Sequence, residues 1–295
     1  MTLRAYADLL RIHFAFAWPL LFCSGLFLAF GTYGGFSWSL VVTAALIGLF
    51  GFEAGMVLND YVDRERDTRD VEGRLTRYWR LFGTRPLAEG EIPAEHALAL
   101  FLLLALAALA LIATLPYPHS LWVAGIMAYS YAVEVFYQLK KRDQRFPIAQ
   151  VVGRTDFALF PVAGYLVAGM PDLTALLYFL FFYPYALAHL GANDLVDVTN
   201  DRARGMRTVP LLYGTRAGVL WVAGFTALHG VLALLFAPVL GPTARAGLLV
   251  GFALLVVANL VILRGRTPEA AMRVLPLFHL AMVVYAAGMV LGAVW

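Results

Sequence analysis

Long apolar blocks recur along almost the whole chain of 295 residues, and they limit its fold more than any other feature. Each block has about 20 residues, the length that a helix needs to cross roughly 30 Å of hydrocarbon. The chain is 61% hydrophobic and 14% charged, whereas a soluble domain is roughly 45–50% apolar and about 25% charged. The sequence therefore predicts an all-α protein that crosses a membrane several times.

Nine of these blocks are candidate spans, and turn signals such as Gly241-Pro242 separate many of them. The first block lacks a small-residue cleavage site, so we expect a retained helix and not a signal peptide. The predicted spans are residues 12–31, 39–60, 94–114, 119–139, 148–169, 173–193, 216–238, 244–263 and 272–294.

The basic residues predict the orientation of these spans. Of the 22 Lys and Arg residues, 21 lie before span 1, between spans 2 and 3, 4 and 5, 6 and 7 or 8 and 9, or near the start of spans 5, 7 and 9; Arg245 is the exception. By the positive-inside rule the N-terminus is cytoplasmic and the C-terminus at Trp295 is outside. Topology thus explains the net charge of +3, and we expect no nucleic acid partner. The expected location is a prokaryotic cell membrane, in contact with its lipids.

Two acidic clusters of the same pattern lie at the ends of spans 2 and 6. Aspartates at positions i, i+3 and i+7 of an α-helix lie within about 60° of one another, so each cluster places three carboxylates on one face. Their repulsion calls for compensating positive charge. Cluster 1 comprises Asn59, Asp60, Asp63 and Asp67, and cluster 2 comprises Asn193, Asp194, Asp197 and Asp201.

Two such faces opposed across a cavity suit Mg²⁺, which binds carboxylate and water oxygens and completes its octahedron with substrate phosphates. We expect on the order of two Mg²⁺ ions, which would stabilise a departing diphosphate. The occurrence of two matching clusters disfavours the alternative that the aspartates merely end helices in water. All eight cluster residues are candidate metal ligands, and Asp60, Asp63, Asp194 and Asp197 are the candidate catalytic residues. Candidate diphosphate ligands are the nearby cations Arg64, Arg66, Lys140, Lys141, Arg202 and Arg204.

At these clusters the chain resembles the UbiA superfamily of intramembrane prenyltransferases. Cluster 1 matches that family's NDxxDxxxD motif, and cluster 2 matches its DxxDxxxD motif. Residues 85–92 resemble the family's RPLxxGxI segment, and residues 201–210 resemble its DRxxGxxTxP segment. The resemblance implies Mg²⁺-dependent transfer of a prenyl group from an isoprenyl diphosphate to a lipophilic acceptor, with release of diphosphate. The acceptor class stays open between an aromatic quinone precursor, a glycerophosphate ether lipid, a haem and a chlorin.

One segment departs from the family pattern. Residues 68–84 intervene between cluster 1 and the RPL segment, whereas in many members these two follow each other closely. The insertion is either a lid over the active site or a surface loop.

The order of elements suggests an internal duplication within a single domain, 1–295. Asp194 follows Asp60 by 134 residues, and each cluster is followed by the same succession of turns and spans. We expect repeat units at about 39–169 and 173–294, with span 1 as an extra helix, around a central cavity open to the cytoplasm.

Ionisable residues inside helices are costly and often functional. Glu53 lies one heptad before Asp60, on the same face, and is a candidate for positioning or deprotonating an acceptor; the alternative is a pair with a neighbouring helix. Arg154 and Asp156 are candidates for the acceptor pocket or for a structural pair. Tyr129 and Tyr131 are candidates for flanking an allylic cation or for ordinary packing. For His189, a buried structural role is favoured over catalysis.

Two other functions remain open. A terpene cyclase of the same fold would trap the cation within the substrate and need no acceptor. A cation-coupled transporter is a different class, but transporters tend to bind near the membrane midplane, whereas these clusters lie at helix ends.

Overall fold

The computed structural model describes residues 2–294, and within this range the fold consists of helices and loops with no β-strand. The expected outside position of Trp295 concerns a residue beyond that range. The helices are α1 (Leu3–Leu9), α2 (Ala17–Tyr33), α3 (Trp38–Asp67), α4 (Arg74–Trp79), α5 (Ala94–Ala113), α6 (His119–Lys140), α7 (Ile148–Gly153), α8 (Thr155–Tyr165), α9 (Leu173–Val196), α10 (Val198–Arg204), α11 (Val209–Tyr213), α12 (Thr215–Phe236), α13 (Pro242–Gly265) and α14 (Pro268–Val294).

Six helices in the described range are long and apolar enough to cross a membrane: α3, α5, α9, α12 with its following 3₁₀ turn, α13 and α14. Helix α2 is equally apolar but has only 17 residues. The chain is therefore an all-helical membrane protein, while the count of nine spans stays a prediction.

The fifth predicted span, 148–169, is not one helix. Helix α7 ends at Gly153 and α8 begins at Thr155, with Arg154 between them at φ −89° and ψ 1°. Gly153 packs directly against α6, because a Cβ atom there would lie 2.6 Å from the Tyr137 ring. The break lets the Arg154 guanidinium approach the same ring, 5.1 Å from its centroid.

The centre of the bundle is formed by α9, which packs against α8, α12 and α14. Its Phe181, Phe182 and Tyr185 are fully buried. Outward-facing leucines such as Leu234 and Leu249 are 74% exposed, as expected for helix faces that contact lipid.

The approach of α2 to α8 depends on two glycines. A Cβ atom on Gly164 would lie 1.8 Å from the backbone oxygen of Phe22, and one on Gly25 would lie 1.9 Å from that of Pro161. Small residues of this kind let membrane helices pack backbone to backbone.

The two acidic clusters are carried by different local structures. Helix α3 continues without interruption through Asp67, so cluster 1 lies on one helix as predicted. Cluster 2 does not, because α9 ends at Val196 and Asp197 is non-helical, at φ −94° and ψ 12°. The Asp197 carboxylate accepts a 2.8 Å hydrogen bond from the side chain of Asn200.

Candidate active site

A cavity of about 210 Å³ lies where the C-terminal ends of α3, α6 and α9 meet α4 and α10. All six aspartates of the two clusters line this one cavity: Asp60, Asp63, Asp67, Asp194, Asp197 and Asp201. One small molecule can therefore contact both clusters at once.

Every aspartate of cluster 1 forms two ion pairs, so this cluster is neutralised by the protein's own cations. Five of these six cations come from the N-terminal segment or from the stretches after α3 and α6, and the sixth comes from α10. The pairs are Asp60 with Arg11 (2.8 Å) and Arg80 (2.6 Å), Asp63 with Lys141 (2.8 Å) and Arg142 (2.9 Å), and Asp67 with Arg85 (2.6 Å) and Arg204 (3.5 Å).

Cluster 2 has far less compensation. Within residues 2–294, Asp194 and Asp201 form no ion pair; Asp194 accepts a 3.4 Å hydrogen bond from Gln150, and Asp201 accepts one of 3.1 Å from Thr208. Burial and the neighbouring Asp197 charge raise the pKa of Asp201 to about 7. A cation placed among these carboxylates would relieve that repulsion.

The donor set fits Mg²⁺ shared with a phosphate ligand and not a preformed metal cage. Among the described residues, no three His, Cys, Asp or Glu side chains lie close enough together to hold a metal by themselves. Mg²⁺ typically uses one or two carboxylates and takes its other ligands from water and substrate phosphates. Cluster 2 carboxylates without cationic partners provide such a half-site.

The predicted diphosphate ligands separate into two groups. Lys141 and Arg204 line the cavity. Lys140, Arg202, Arg64 and Arg66 do not line it: Arg202 is exposed, and Arg64 donates to the backbone oxygen of Tyr61 on its own helix at 2.6 Å. Arg66 donates to the backbone oxygen of Arg204 at 3.0 Å, so it supports the segment that carries a cavity cation.

Both cluster asparagines line the cavity, and both are tied to neighbouring side chains. Asn59 donates its amide to Glu134 at 2.6 Å. Asn193 accepts from the indole nitrogen of Trp79 at 3.4 Å and donates toward His189. These hydrogen bonds hold the side chains of both asparagines in a fixed orientation.

Of the five candidates for the acceptor pocket, Arg154 alone lines the cavity. It forms no ion pair within the described range, and its Nε atom is buried without a hydrogen-bond partner there. Glu53 is only 4% exposed, and neither of its carboxylate oxygens has a hydrogen-bond partner in the described part of the chain. Tyr129 contacts Thr155.

The two remaining candidates also lie off the cavity wall. The Tyr131 hydroxyl donates to the backbone oxygen of Gly51 at 3.1 Å, and its ring lines a second, smaller and mainly apolar cavity. Asp156 accepts from the backbone nitrogen of Phe157 at 2.5 Å.

Sequence reasoning missed three cations of the site. Arg11, Arg80 and Arg85 line the cavity. The sequence analysis used them only as basic residues that indicate the orientation of the spans. Arg85 begins the RPL segment, which was the available signal for it. No comparable signal marked Arg11 or Arg80, because their pairing with Asp60 exists only in the tertiary structure.

The insertion of residues 68–84 folds over the site and is not a detached loop. Its helix α4 places Leu75 and Trp79 on the cavity wall. Asn200 anchors it from the other half of the chain, accepting at 2.9 Å from the backbone nitrogens of Val71 and Glu72 and donating at 2.8 Å to the Glu72 oxygen. We refer to residues 68–84 as the lid segment.

The sequence model of the UbiA prenyltransferase family matches residues 16–291. The chain belongs to this family. The UbiA motifs that it carries are the two aspartate clusters on the cavity wall, and the family match covers both.

Individual members are similar over different lengths. The 4-hydroxybenzoate octaprenyltransferase of Psychrobacter arcticus is 28% identical over 180 residues, which is 60% of this chain and about half, 53%, of that protein. The digeranylgeranylglyceryl phosphate synthase of Pyrococcus abyssi is 27% identical over 255 residues, 84% of this chain and 83% of that one. The solved structure of a UbiA homologue from Archaeoglobus fulgidus bound to DMAPP and Mg²⁺ superposes with a TM-score of 0.68 at 16% identity, covering 97% of this chain and 98% of that one. This last likeness establishes the shared fold.

Proposed function

We propose that this chain is a Mg²⁺-dependent membrane prenyltransferase that transfers a prenyl group from an isoprenyl diphosphate to a lipophilic acceptor and releases diphosphate. The observation that carries the proposal is that the aspartates of both clusters line one cavity together with several arginines and a lysine. The names of two similar proteins, a 4-hydroxybenzoate octaprenyltransferase and a digeranylgeranylglyceryl phosphate synthase, support it. So does the Archaeoglobus fulgidus homologue bound to DMAPP and Mg²⁺.

Asp60, Asp63, Asp194 and Asp197 are the proposed catalytic carboxylates, and with Asp67 and Asp201 they would hold the metal. On the order of two Mg²⁺ ions, when bound, would neutralise the diphosphate and stabilise the charge that develops on it as the allylic C–O bond breaks.

The cavity cations would bind the diphosphate oxygens. Guanidinium groups match phosphate oxygens in geometry and charge, and Arg80, Arg85 and Arg204 already lie against carboxylates on the cavity wall. Lys141 contributes a point charge at 2.8 Å from Asp63. Arg154, which has no ion pair within the described range, is available for the diphosphate or for an anionic group of the acceptor.

The apolar part of the wall would shelter the allylic cation from water. Trp18, Phe52, Tyr137 and Phe157 also line the cavity. Aromatic faces attract cations, and a wall of rings leaves little room for water beside the reacting carbon.

The wider architecture is part of the proposal. We propose nine membrane spans, repeat units at 39–169 and 173–294, a cytoplasmic N-terminus, a cavity that opens to the cytoplasm and a prokaryotic cell membrane as the location. The bias of basic residues supports this orientation, because 21 of 22 fall on the side assigned to the cytoplasm.

Product analysis with purified protein in lipid nanodiscs tests the function. The protein would be incubated with Mg²⁺, a panel of prenyl diphosphates, and hydroxybenzoate, naphthoate and glyceryl phosphate acceptors, and products identified by mass spectrometry. A prenylated acceptor with equimolar diphosphate is expected. A cyclic hydrocarbon or alcohol formed from the diphosphate alone would identify a terpene cyclase instead. Cation-driven flux in liposomes without diphosphate consumption would identify a transporter.

A further inference from the structure

A pair of histidines lies on the cavity wall beside cluster 2, where the wall becomes aromatic. His189 of α9 and His279 of α14 both line the cavity, and their Nε2 atoms are 3.0 Å apart. The ring centroids of Trp79 and Phe157 lie 6.3 Å and 6.4 Å from that of His189. The pair thus places polar nitrogens close to these aromatic rings.

The lid segment determines which nitrogen of His189 carries its proton. Trp79 has only a donor on its indole, so its contact of 3.4 Å fixes the oxygen of the Asn193 amide toward Trp79. The Asn193 amide nitrogen then faces His189, at 3.2 Å from Nε2 and 3.0 Å from the backbone oxygen. Nε2 of His189 is therefore a hydrogen-bond acceptor.

A second chain of hydrogen bonds is consistent with this assignment. Because Nε2 of His189 accepts, Nε2 of His279 must carry the proton of the contact between the two rings. Nδ1 of His279 is then an acceptor, and the Tyr78 hydroxyl donates to it at 2.6 Å. Both chains start on the lid segment and end at Nε2 of His189.

The neutral His189 ring must then carry its hydrogen on Nδ1. No partner for this N–H group exists in the described part of the chain, and the side chain is half-buried on the cavity wall. It is a hydrogen-bond donor without a protein partner there, and the rings of Trp79 and Phe157 lie nearby.

We infer that His189 Nδ1–H donates a hydrogen bond to the oxygen of a hydroxy-aromatic acceptor, so that His189 is a specificity-determining residue for the acceptor and the lid segment fixes its orientation. This inference rests on the proposed function. The ring-lined wall suits a flat aromatic ligand. A donor to a phenolic oxygen stabilises the phenolate, whose hydroxyl proton passes to water as the acceptor binds, and the ring carbon adjacent to that oxygen attacks the allylic cation. The allylic C–O bond breaks with its electron pair leaving on diphosphate, and the ring carbon supplies the electron pair of the new C–C bond. That carbon then loses its proton to diphosphate, and the product phenolate takes a proton back from water.

Binding measurements that do not require turnover test the inference. We would titrate 4-hydroxybenzoate against benzoate, and 1-hydroxy-2-naphthoate against 2-naphthoate, into nanodisc-embedded protein with Mg²⁺ and geranyl thiodiphosphate, a donor analogue that ionises poorly. Quenching of tryptophan fluorescence reports binding, because Trp18 and Trp79 line the cavity. The wild-type protein should bind at least one hydroxy compound about fivefold to tenfold more tightly than its deoxy partner, as expected for one net hydrogen bond.

Two isosteric substitutions locate the donor. His189→Asn keeps an N–H group near the position of Nδ1 and should retain most of the preference. His189→Gln moves the amide to the position of Nε2 and should abolish it, as should His189→Phe. Tyr78→Phe should weaken the preference without removing the binding site. His119→Gln, at a histidine that instead contacts the backbone oxygen of Leu166 and does not line the cavity, is the control.

The outcomes separate the two proposals. Equal affinity of the wild type for both members of every pair, or an unchanged preference in His189→Gln, overturns the role of His189. A lowered thermal stability of these variants with an unchanged preference also overturns it, in favour of a purely structural role. Absence of any prenylated product from the wild-type protein, with the preference intact, would instead count against the proposed function.

Discussion

Arg80 donates to Asp60 at 2.6 Å, and this buried contact joins the lid segment to the first aspartate of cluster 1. Arg11 pairs with the other oxygen of the same carboxylate at 2.8 Å. One aspartate therefore connects the N-terminal segment, the membrane helix α3 and the lid segment. Closure of the cavity and charge compensation in it depend on the same groups.

Loss of Arg80 should loosen the lid segment. Arg80 is 3% exposed, so Arg80→Ala removes one partner of a buried pair and should cost about 3 kcal/mol of stability, with Arg11 limiting the loss. We expect a lower thermal midpoint in detergent and faster proteolysis within residues 68–84. Arg77→Ala, at an exposed site on α4, is the matched control. Equal behaviour of the two variants would contradict a role for Arg80 in holding the segment.

The two clusters should respond differently to the same substitution. Asp60→Asn leaves Arg11 and Arg80 facing a neutral amide and should lower the thermal midpoint. Asp194→Asn removes a buried charge that has no cationic partner within residues 2–294, so the thermal midpoint without Mg²⁺ should stay the same or rise. Both variants should lose about 100-fold or more of the diphosphate release, as expected when charge stabilisation in a site is removed. Full activity of either variant would refute the proposed catalytic assignment.

Metal and diphosphate should stabilise the protein together much more than the metal does alone. The described residues contain no group of three metal-binding side chains, so Mg²⁺ requires phosphate oxygens to complete its coordination. A differential scanning fluorimetry series with Mg²⁺, diphosphate and both together measures this, because a ligand of the folded state raises its stability by mass action. EDTA should abolish the joint effect. A shift with Mg²⁺ alone as large as the joint shift would contradict a shared site.

Asn200 should control the local opening of the lid segment. Its side chain makes three hydrogen bonds to the backbone of Val71 and Glu72, at 2.8–2.9 Å. Asn200→Ala should therefore speed amide hydrogen exchange at these two residues by about tenfold or more, since each net bond contributes roughly 1 kcal/mol. The exposed neighbour Thr199, changed to Ala, should leave their exchange unchanged. Slow exchange in the Asn200 variant would show that other contacts hold the segment.

The packing of α2 on α8 should tolerate no side chain at Gly164. A Cβ atom there would lie 1.8 Å from the Phe22 backbone oxygen, so Gly164→Ala must force the helices apart. We expect a strongly lowered thermal midpoint and poor recovery from membranes. Gly125→Ala on α6 is the control, because a Cβ atom at that position meets no atom within 4 Å. Similar stability of both variants would contradict the close approach.

The sequence by itself determined the helical class, the approximate position of the long helices and the aspartates of the site. Hydrophobic length and the i, i+3, i+7 spacing are local properties, so they can be read along the chain without knowing its neighbours. Asp60, Asp63 and Asp67 on the continuous helix α3 are the clearest case.

Only the tertiary structure decided which charges meet. The pairing of Asp60 with Arg11 joins residues 49 positions apart, and the anchoring of Val71 by Asn200 joins residues 129 positions apart. Such contacts depend on how helices pack, and a sequence records no distance between separate elements. The breaks at Arg154 and Asp197 could not be read from the sequence either, because helix propensity at a single residue is weak and tertiary packing overrides it.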